Sequence, residues 1–431
     1  MTTIKNAWSN FEIEPLVHPF GFKGHEIKKI WQYSVELQSV DGLSATGMGC
    51  QGVLWSDCEV FAANSPSAGC AMMYLVTDYA VQLLKGLSFE TPFDAMDQIF
   101  PEVISYAKSM TRRENLSTTF VLNALVGVDL ALWKLYEKKN GHKGFDAIIP
   151  ENIRPSLSNR YERIQIIPLI SYGVTLEEVK ELAEEGFFFL KIKIGSDPEK
   201  DGDNEKMLAW DKQRLSDIHS LVKDIETPYT KSGHIAYYLD ANGRYDSKER
   251  LWELLNHARD IGMLERIVLV EEPFRENNKC YVGDFPVLIA ADESAHSPED
   301  VAERIQLGYR AIALKPIAKT MSITFRMIEE AQKHDIPCFC ADLTVGPLQV
   351  EVNKNFAARL ACLPGLKMPV VESNGWQNYI NWKRMQTYSP ANEKPWSIME
   401  KGGYQLGSTF YEASGSMFEE YPHYHELALE K

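Results

Sequence analysis

The sequence is short of basic residues, of cysteine and of long uninterrupted apolar runs. Its 431 residues include 45 Lys and Arg against 60 Asp and Glu, which gives a formal net charge of −15. Nucleic acids and anionic membranes attract basic surfaces, so neither is expected as the main partner. The seven cysteines are an odd number without zinc-finger spacing. Such usage favours a reducing compartment, the cytoplasm, over a disulfide scaffold.

The most apolar stretch of the chain, residues 119–135, is interrupted by Asn123, Asp129 and Lys134. These polar side chains make it a poor candidate for a membrane span. A helix buried between two protein layers is expected instead. The first residues show no signal-peptide pattern, and the sequence contains no linker rich in Gly and Ser.

From about residue 160 the chain repeats one unit, a short apolar strand followed by a turn and a helix. Strands are predicted at 163–172, 187–195, 234–242, 265–274, 287–294, 310–316, 336–343 and 366–375. Helices are predicted at 175–185, 205–226, 246–261, 297–308, 320–335 and 346–360, with a less regular one after Pro273. Eight strands alternating with helices predict an α/β fold in which a parallel sheet closes into a (β/α)₈ barrel. Catalytic groups in such a barrel lie at the carboxyl ends of the strands.

The pattern divides the chain into three regions. Residues 1–155 are predicted to form an α+β capping domain, residues 156–380 the barrel, and residues 381–431 a segment that packs back on the capping domain. Within the first region we predict antiparallel strands at 30–36 and 47–54, and helices around 70–85, 91–110 and 116–138.

Lysines stand inside or at the end of two apolar strands. Lys191 and Lys193 alternate in the second strand, so they share one face and point into the lumen if the sheet is a barrel. Lys315 ends the sixth strand, which lies opposite the second in a ring of eight. The alternative is that these lysines guard an edge strand or are merely solvated. A lysine that is partly desolvated near a cation has its neutral form favoured and can act as a base.

Three consecutive predicted strands end in carboxylates, Asp240, Glu271 and Asp292. Like charges that converge need a shared cation, and oxygen ligands favour a hard ion such as Mg²⁺. Lysines on both sides of a cation suit the removal of the α-proton from a substrate that carries a carboxylate.

The chain resembles the enolase superfamily, and most closely the muconate lactonizing enzyme-like subgroup of the mandelate racemase/muconate lactonizing enzyme family. Five ordered motifs carry the resemblance: Lys191-Ile192-Lys193, Asp240-Ala241-Asn242, Glu271-Glu272-Pro273, Asp292-Glu293-Ser294 and Leu314-Lys315. A further likeness is the helix at 124–133, although Lys134 follows it where an acidic residue is usual.

The resemblance implies a Mg²⁺-dependent isomerase or lyase that passes through an enediolate and acts on a small carboxylate substrate. It implies metal ligands at Asp240, Glu271 and Asp292, acid/base catalysts at Lys193 and Lys315, and an electrostatic role for Lys191. Racemisation, epimerisation or cycloisomerisation is the first expectation. The alternatives are a dehydratase or lyase that acts on a sugar acid or resembles o-succinylbenzoate synthase, and a barrel without catalytic activity. A homo-oligomer is also expected, since barrels of this superfamily often form symmetric assemblies.

Further polar residues near the strand ends are predicted to support the site or to contact the substrate: Asn242, Glu272, Glu293, Asp342, Glu372 and Asn374. Strand alternation predicts that Glu272 and Glu293 point away from the lumen. The family's capping domain selects the substrate, which places specificity loops near 17–25 and 48–57 and makes His18, Phe20 and Lys23 candidates. The seventh strand supplies no histidine base. The eighth lacks the Asp-x-Asp of dipeptide epimerases, which argues against that activity.

Overall fold

A computed structural model describes residues 1–22 and 25–430 of the chain. Its N-terminal part is built on a four-stranded antiparallel sheet in the order β3-β2-β1-β4. The strands are β1 (Thr2–Phe22), β2 (His25–Ser39), β3 (Ser44–Cys50) and β4 (Ser88–Phe89). The strand predicted at 30–36 lies within β2, and the one at 47–54 overlaps β3. The 21-residue β1 was not predicted, because Pro15 and Pro19 interrupt its strand pattern.

Six helices follow in this part of the chain: α1 (Val53–Ser56), α2 (Cys58–Ala63), α3 (Pro66–Leu84), α4 (Pro92–Thr111), α5 (Thr118–Asn140) and α6 (Phe145–Ile148). The three long ones correspond to the predicted helices. α5 is long and apolar enough to cross a membrane by composition alone, yet 94% of its most apolar window is buried inside the protein. It is therefore a core helix, as its polar interruptions suggest.

Lys134 in α5 ties the C-terminal segment to this core. Its side chain is buried, and its Nζ donates to the backbone oxygen of Glu419 at 2.7 Å. The same Nζ lies 3.3 Å from the centre of the Tyr421 ring. Burial lowers the pKa of Lys134 to about 7, although the nearby Glu420 carboxylate acts in the opposite direction. Folding near neutral pH thus favours release of a proton from this lysine.

This shift predicts a pH-dependent stability. Between about pH 7 and 10.5 the unfolded chain holds a proton on Lys134 that the folded protein has lost, so stability rises with pH. The free energy of unfolding of the wild type, relative to Lys134→Met, should increase by about 2 kcal/mol from pH 7 to 9. Urea unfolding at several pH values measures it. Lys138→Met, which removes a lysine of α5 with a 23% exposed side chain, is the control. If the difference in the free energy of unfolding between the wild type and Lys134→Met stays constant with pH, the prediction is wrong.

The central part of the chain forms the predicted barrel. Its parallel strands are β5 (Arg163–Ile167), β6 (Leu169–Ile170), β7 (Phe189–Lys193), β8 (Ala236–Asp240), β9 (Ile267–Glu271), β10 (Leu288–Ala291), β11 (Ala311–Leu314), β12 (Cys338–Cys340) and β13 (Val370–Glu372). Neighbours in sequence pair in space from β6 to β13, and β13 pairs with β5. Only Pro168 separates β5 from β6, and its carbonyl accepts the Lys191 amide at 3.3 Å. These two short strands act as one, which closes a ring of eight and confirms the predicted fold.

The helices that surround the barrel are α7 (Leu176–Glu184), α8 (Asn204–Val222), α9 (Lys248–Asp260), α10 (Pro298–Gln306), α11 (Pro316–Lys319), α12 (Met321–Gln332) and α13 (Pro347–Ala357). The helix predicted after Pro273 is wrong, since residues 272–287 contain turns and no helix. This segment is rich in turn-forming residues, and Arg304 holds it by donating to the backbone oxygens of Glu276 and Asn278. Short 3₁₀ helices lie at Glu151–Leu157, Leu264–Arg266, Pro395–Ser397 and Ser414–Ser416.

The C-terminal segment touches both parts of the molecule. After α14 (Gly375–Asn378), it contains α15 (Trp382–Thr387), β14 (Met399–Glu400), β15 (Gly403–Gln405), α16 (Gly407–Ala413) and α17 (Pro422–Leu429). β15 pairs antiparallel with β5 of the barrel, whereas α17 packs on β1 and β2. The segment also contacts the first region near its start, where Asn381 and Arg384 donate to the Glu14 carboxylate at 2.8 and 2.6 Å. The domain boundaries at 155 and 380 stay a prediction.

The barrel lumen changes from aromatic to charged along the strands. In its lower part Phe189 stacks on Tyr238 with ring centroids 5.8 Å apart, and Tyr238 meets Phe339 edge to face at 5.6 Å. Two residues further along β7, the Lys191 Nζ lies 4.6 Å from the Tyr238 ring. Strand alternation places Lys191 and Lys193 on the same inward face as Phe189. The charged groups therefore pack directly on this aromatic layer.

Candidate active site

A cavity lies at the carboxyl ends of the barrel strands, beneath the N-terminal sheet. Nine of the predicted site residues line it: Lys191, Lys193, Asp240, Asn242, Asp292, Lys315, Asp342, Glu372 and Asn374. Lys191 lies within β7, and each of the others ends a barrel strand or follows one within two residues. The barrel closure thus brings together groups that are up to 183 residues apart in the sequence.

Lys191 is the electrostatic centre of the cavity. Its Nζ contacts one carboxylate oxygen each of Asp240 at 2.9 Å, Glu271 at 3.0 Å and Glu372 at 3.0 Å. Burial alone would lower the pKa of Lys191, but the three carboxylates outweigh it and hold the pKa well above its ordinary value. Lys191 is consequently held as a positive charge, which suits the predicted electrostatic role.

Lys193 is tied to a chain of polar side chains at the other wall of the cavity. Its Nζ donates to Asp240 Oδ2 at 2.6 Å and also contacts Asn242 Oδ1. The amide of Asn242 then donates to Glu293 Oε1 at 2.9 Å. Asn242 therefore orients the lysine through one end of its amide and an acidic side chain through the other.

A group of acidic side chains with metal-binding geometry stands beside these lysines. Among the described residues, Glu271, Asp292 and Glu293 each bring one carboxylate oxygen within 4.8 Å of the others. All three are buried, and Glu271 Oε1 has no hydrogen-bond partner. Burial raises the pKa of Glu271 to about 8, with the adjacent Asp292 charge adding to the effect. An oxygen-only donor set with an unpaired buried oxygen fits a hard cation such as Mg²⁺.

The membership of this acidic group differs from the sequence-based expectation at Glu293 and at Asp240. Glu293 was predicted to point away by strand alternation, but β10 ends at Ala291 and the alternation stops there. Its carboxylate instead joins those of Glu271 and Asp292. Glu272 does point outward, and its Oε2 accepts the Asp292 amide at 2.8 Å and so anchors the loop. Asp240 is outside the group of three and stays a predicted ligand on the neighbouring strand.

Asp292 is shared by two lysines from the end of β11 and from α11. Lys315 Nζ contacts Asp292 Oδ2 at 2.5 Å, and Lys319 Nζ contacts Oδ1 at 3.1 Å. Burial favours the neutral form of Lys315, but Asp292 and then Glu271 outweigh it and raise its pKa. Direct contact with Asp292 thus favours the charged form of Lys315, and the neutral form expected beside a bound cation stays a prediction. Lys319 was not singled out from the sequence, although it too is a lysine within an apolar run.

The backbone is strained next to two of the predicted ligands. Asn242 and Glu272, which follow β8 and β9, adopt left-handed conformations with φ of 43° and 39°. Such values are uncommon for residues other than glycine, and especially for a long side chain such as Glu. The turns are held by the Gly243 amide, which donates to the Glu272 carbonyl at 2.6 Å. Backbone strain of this kind clusters at functional sites.

The carboxylates at the ends of β12 and β13 are engaged by the protein itself. Asp342 accepts the amides of Leu343 at 2.8 Å and Asn374 at 2.7 Å. Glu372 Oε2 accepts the Asp342 amide at 3.0 Å in addition to Lys191. These contacts shape the loops above the strands. Of the two roles predicted for Asp342, support of the site and contact with the substrate, they favour the first.

The wall contributed by the N-terminal part is largely apolar. It consists of Leu16, Ile27, Ile30, Gln51, Gly52 and Trp55. Trp55 is 8% exposed, its Nε1 has no hydrogen-bond partner, and its ring centre lies 4.4 Å from Lys315 Nζ. Of the two predicted specificity loops, the one at 48–57 contributes Gln51, Gly52 and Trp55 to this wall. His18 is exposed, whereas Lys23 and the side chain of Phe20 lie outside the described part of the chain.

Comparison with known proteins identifies this arrangement. A sequence model of the family described as "Enolase C-terminal domain-like" matches residues 174–392, just over half of the chain. The chain belongs to the enolase superfamily. No curated protein matches the chain significantly.

Solved structures of the superfamily share the whole architecture. A mandelate racemase/muconate lactonizing protein from Herpetosiphon aurantiacus has a TM-score of 0.65 at 17% identity, covering 94% of this chain and 96% of its own. The 2-chloromuconate cycloisomerase from Rhodococcus opacus has a TM-score of 0.63 at 17% identity, with 94% of each chain covered. A dipeptide epimerase from Enterococcus faecalis, complexed with Mg and L-Leu-L-Tyr, has a TM-score of 0.61 at 18% identity, covering 86% and 90%. These likenesses establish the enolase-superfamily fold, including its capping sheet.

Proposed function

We propose that the protein is a Mg²⁺-dependent isomerase that removes the α-proton of a carboxylate substrate and returns it on the opposite face. The observation that carries the proposal is the position of Lys193 and Lys315. They extend from β7 and β11, which are four strands apart in either direction around the eight-stranded ring. Both line the same cavity, where Lys193 contacts Asp240 and Lys315 contacts Asp292.

The lysines move the proton in this proposal. A substrate α-carbon held between the two walls would lie with one face toward Lys193 and the other toward Lys315. One lysine would accept the proton and the other would donate one, so the configuration inverts. Lys191, kept protonated by its three carboxylates, would stabilise the negative charge of the enediolate more than that of the substrate.

The metal ligands are proposed as Glu271, Asp292 and Glu293, with Asp240 beside them. Mg²⁺ held there would supply positive charge that stabilises the enediolate and offsets the acidic charges that raise the pKa of Lys315. The Mg complex in the Enterococcus faecalis neighbour supports this choice of ion.

The substrate is proposed to be small, with an apolar group remote from its carboxylate. The cap-side wall offers Leu16, Ile27, Ile30 and Trp55 to that group. A dipeptide is disfavoured because Asp342 and Glu372, the acids near the eighth strand, are engaged by backbone amides and by Lys191.

Exchange of the α-hydrogen in deuterium oxide tests the proposal. A set of amino-acid, dipeptide and sugar-acid carboxylates, with apolar and charged remote groups, is incubated with the protein and MgCl₂ and followed by proton NMR. At least one compound should lose its α-proton signal, and removal of the metal with EDTA should stop the loss. Appearance of the opposite configuration identifies an isomerase, whereas an unsaturated product identifies a lyase. No exchange with any compound would contradict the proposal.

A further inference from the structure

Lys319 is a lysine without access to the cavity or to solvent. Its side chain is fully buried at the end of α11. Its Nζ donates to the backbone oxygen of Asp292 at 2.6 Å and to Asp292 Oδ1 at 3.1 Å. A buried ammonium group costs several kcal/mol unless it is paired, so Lys319 depends on this carboxylate.

Lys315 and Lys319 each contact a different oxygen of the Asp292 carboxylate. Lys319 holds Oδ1 and Lys315 contacts Oδ2. Lys315 lines the cavity and can turn into it, whereas Lys319 is not among the lining residues. If a cation binds Asp292, Lys315 can therefore give way at Oδ2 while Lys319 keeps Oδ1 occupied.

The main chain at Asp292 is fixed as well. Its amide donates to Glu272 Oε2 at 2.8 Å, and its carbonyl accepts from Lys319. Rotation of the carboxylate to present both oxygens to the cavity would have to break the contact with Lys319. The lysine thus controls how many oxygens Asp292 can offer.

We propose that Lys319 is a positioning residue that limits Asp292 to one metal-ligating oxygen and thereby favours Mg²⁺ over Ca²⁺. The inference rests on the proposed metal site. Mg²⁺ takes about six ligands in a strict octahedron, whereas Ca²⁺ takes about 6–8 and accepts carboxylates through both oxygens. A carboxylate held at one oxygen by an ammonium group suits the smaller ion.

Isothermal titration of the full-length protein with MgCl₂ and with CaCl₂, without substrate, tests the proposal. The wild type should bind Mg²⁺ more tightly than Ca²⁺. In Lys319→Met the affinity for Ca²⁺ should rise at least tenfold relative to that for Mg²⁺, because Oδ1 becomes available. Lys319→Gln, a milder variant whose amide can still reach a backbone oxygen, should shift the ratio in the same direction.

Lys354→Met is the matched control. Lys354 is also fully buried, and its Nζ contacts one carboxylate oxygen, Glu351 Oε1, at 2.7 Å and one backbone oxygen, that of Trp396, at 2.5 Å. It is outside the cavity, so its loss should leave the ratio of the two affinities within twofold of the wild type. An unchanged ratio in both Lys319 variants overturns the inference alone. A wild type that binds neither ion overturns the proposed metal site and the inference together.

Discussion

Replacing Lys193 or Lys315 by alanine is expected to abolish racemisation while leaving the protein folded. Acid/base residues contribute about 10²–10⁴-fold to a rate, and inversion needs both of them. Neither change strands a buried carboxylate, because Asp240 keeps Lys191 at 2.9 Å and Asp292 keeps Lys319 at 3.1 Å. Loss of activity would therefore report on proton transfer rather than on unfolding, which circular dichroism can verify.

The stereochemistry of hydrogen exchange distinguishes the role of Lys193 from that of Lys315. Because the two lysines extend from opposite walls, each should remove the proton from one configuration of the substrate only. Lys193→Ala should still exchange the α-hydrogen of one enantiomer in deuterium oxide, and Lys315→Ala that of the other. Lys354→Ala, which removes a buried lysine outside the cavity, should keep both activities. If both active-site variants still racemise, the assignment of two bases is wrong.

The barrel was predictable because its signals are local and repeated. Each strand is a short apolar run bounded by turns, and the ring of eight follows from their number and alternation. The same regularity exposed Lys191 and Lys193, since two lysines in a buried strand break the pattern. The strand that closes the ring, 163–170, could be predicted although Pro168 divides it.

The parts that could not be predicted depend on tertiary contacts. β1 is recognised only through its pairing with β2, because Pro15 and Pro19 interrupt its own strand pattern. The segment after Pro273 looked weakly helical, yet Arg304 fixes it as turns. Strand alternation gave the wrong direction for Glu293, since it stops where β10 ends.

Site residues at the ends of barrel strands were predicted from the sequence. Individual residues that reach the site from other elements were not. Trp55 reaches the cavity from a four-residue helix within the predicted specificity loop at 48–57, but no pattern singles it out from the other residues of that loop. Lys319 lies one helical turn after Lys315. A second lysine in the same apolar run is the sequence feature that could have marked it as part of the site. Its partner, Asp292, is 27 residues earlier, which only the fold could show.

Replacing Asp292 by asparagine is expected to cause the largest loss of stability of any single change at the site. The variant leaves the ammonium groups of Lys315 and Lys319 buried without their carboxylate. Removing one partner of a buried ion pair typically costs about 3–5 kcal/mol, since the remaining charge stays desolvated. Asp240→Asn is the comparison, and it should cost less. Lys191 there retains Glu271 and Glu372 at 3.0 Å each, and Lys193 retains its contact with Asn242.

Urea unfolding with and without MgCl₂ separates the two roles of Asp292. Without metal, the variant should be less stable than Asp240→Asn, because two lysines rather than one depend mainly on the lost carboxylate. With Mg²⁺ at a hundredfold excess over its dissociation constant, the wild type should gain about 2.7 kcal/mol. Asp292→Asn should gain little, because a ligand is missing. A variant that unfolds within about 1 kcal/mol of the wild type would show that the two lysines do not need Asp292. A variant that is destabilised but still gains the full Mg²⁺ stabilisation would remove Asp292 from the metal site while leaving its pairing with the lysines intact.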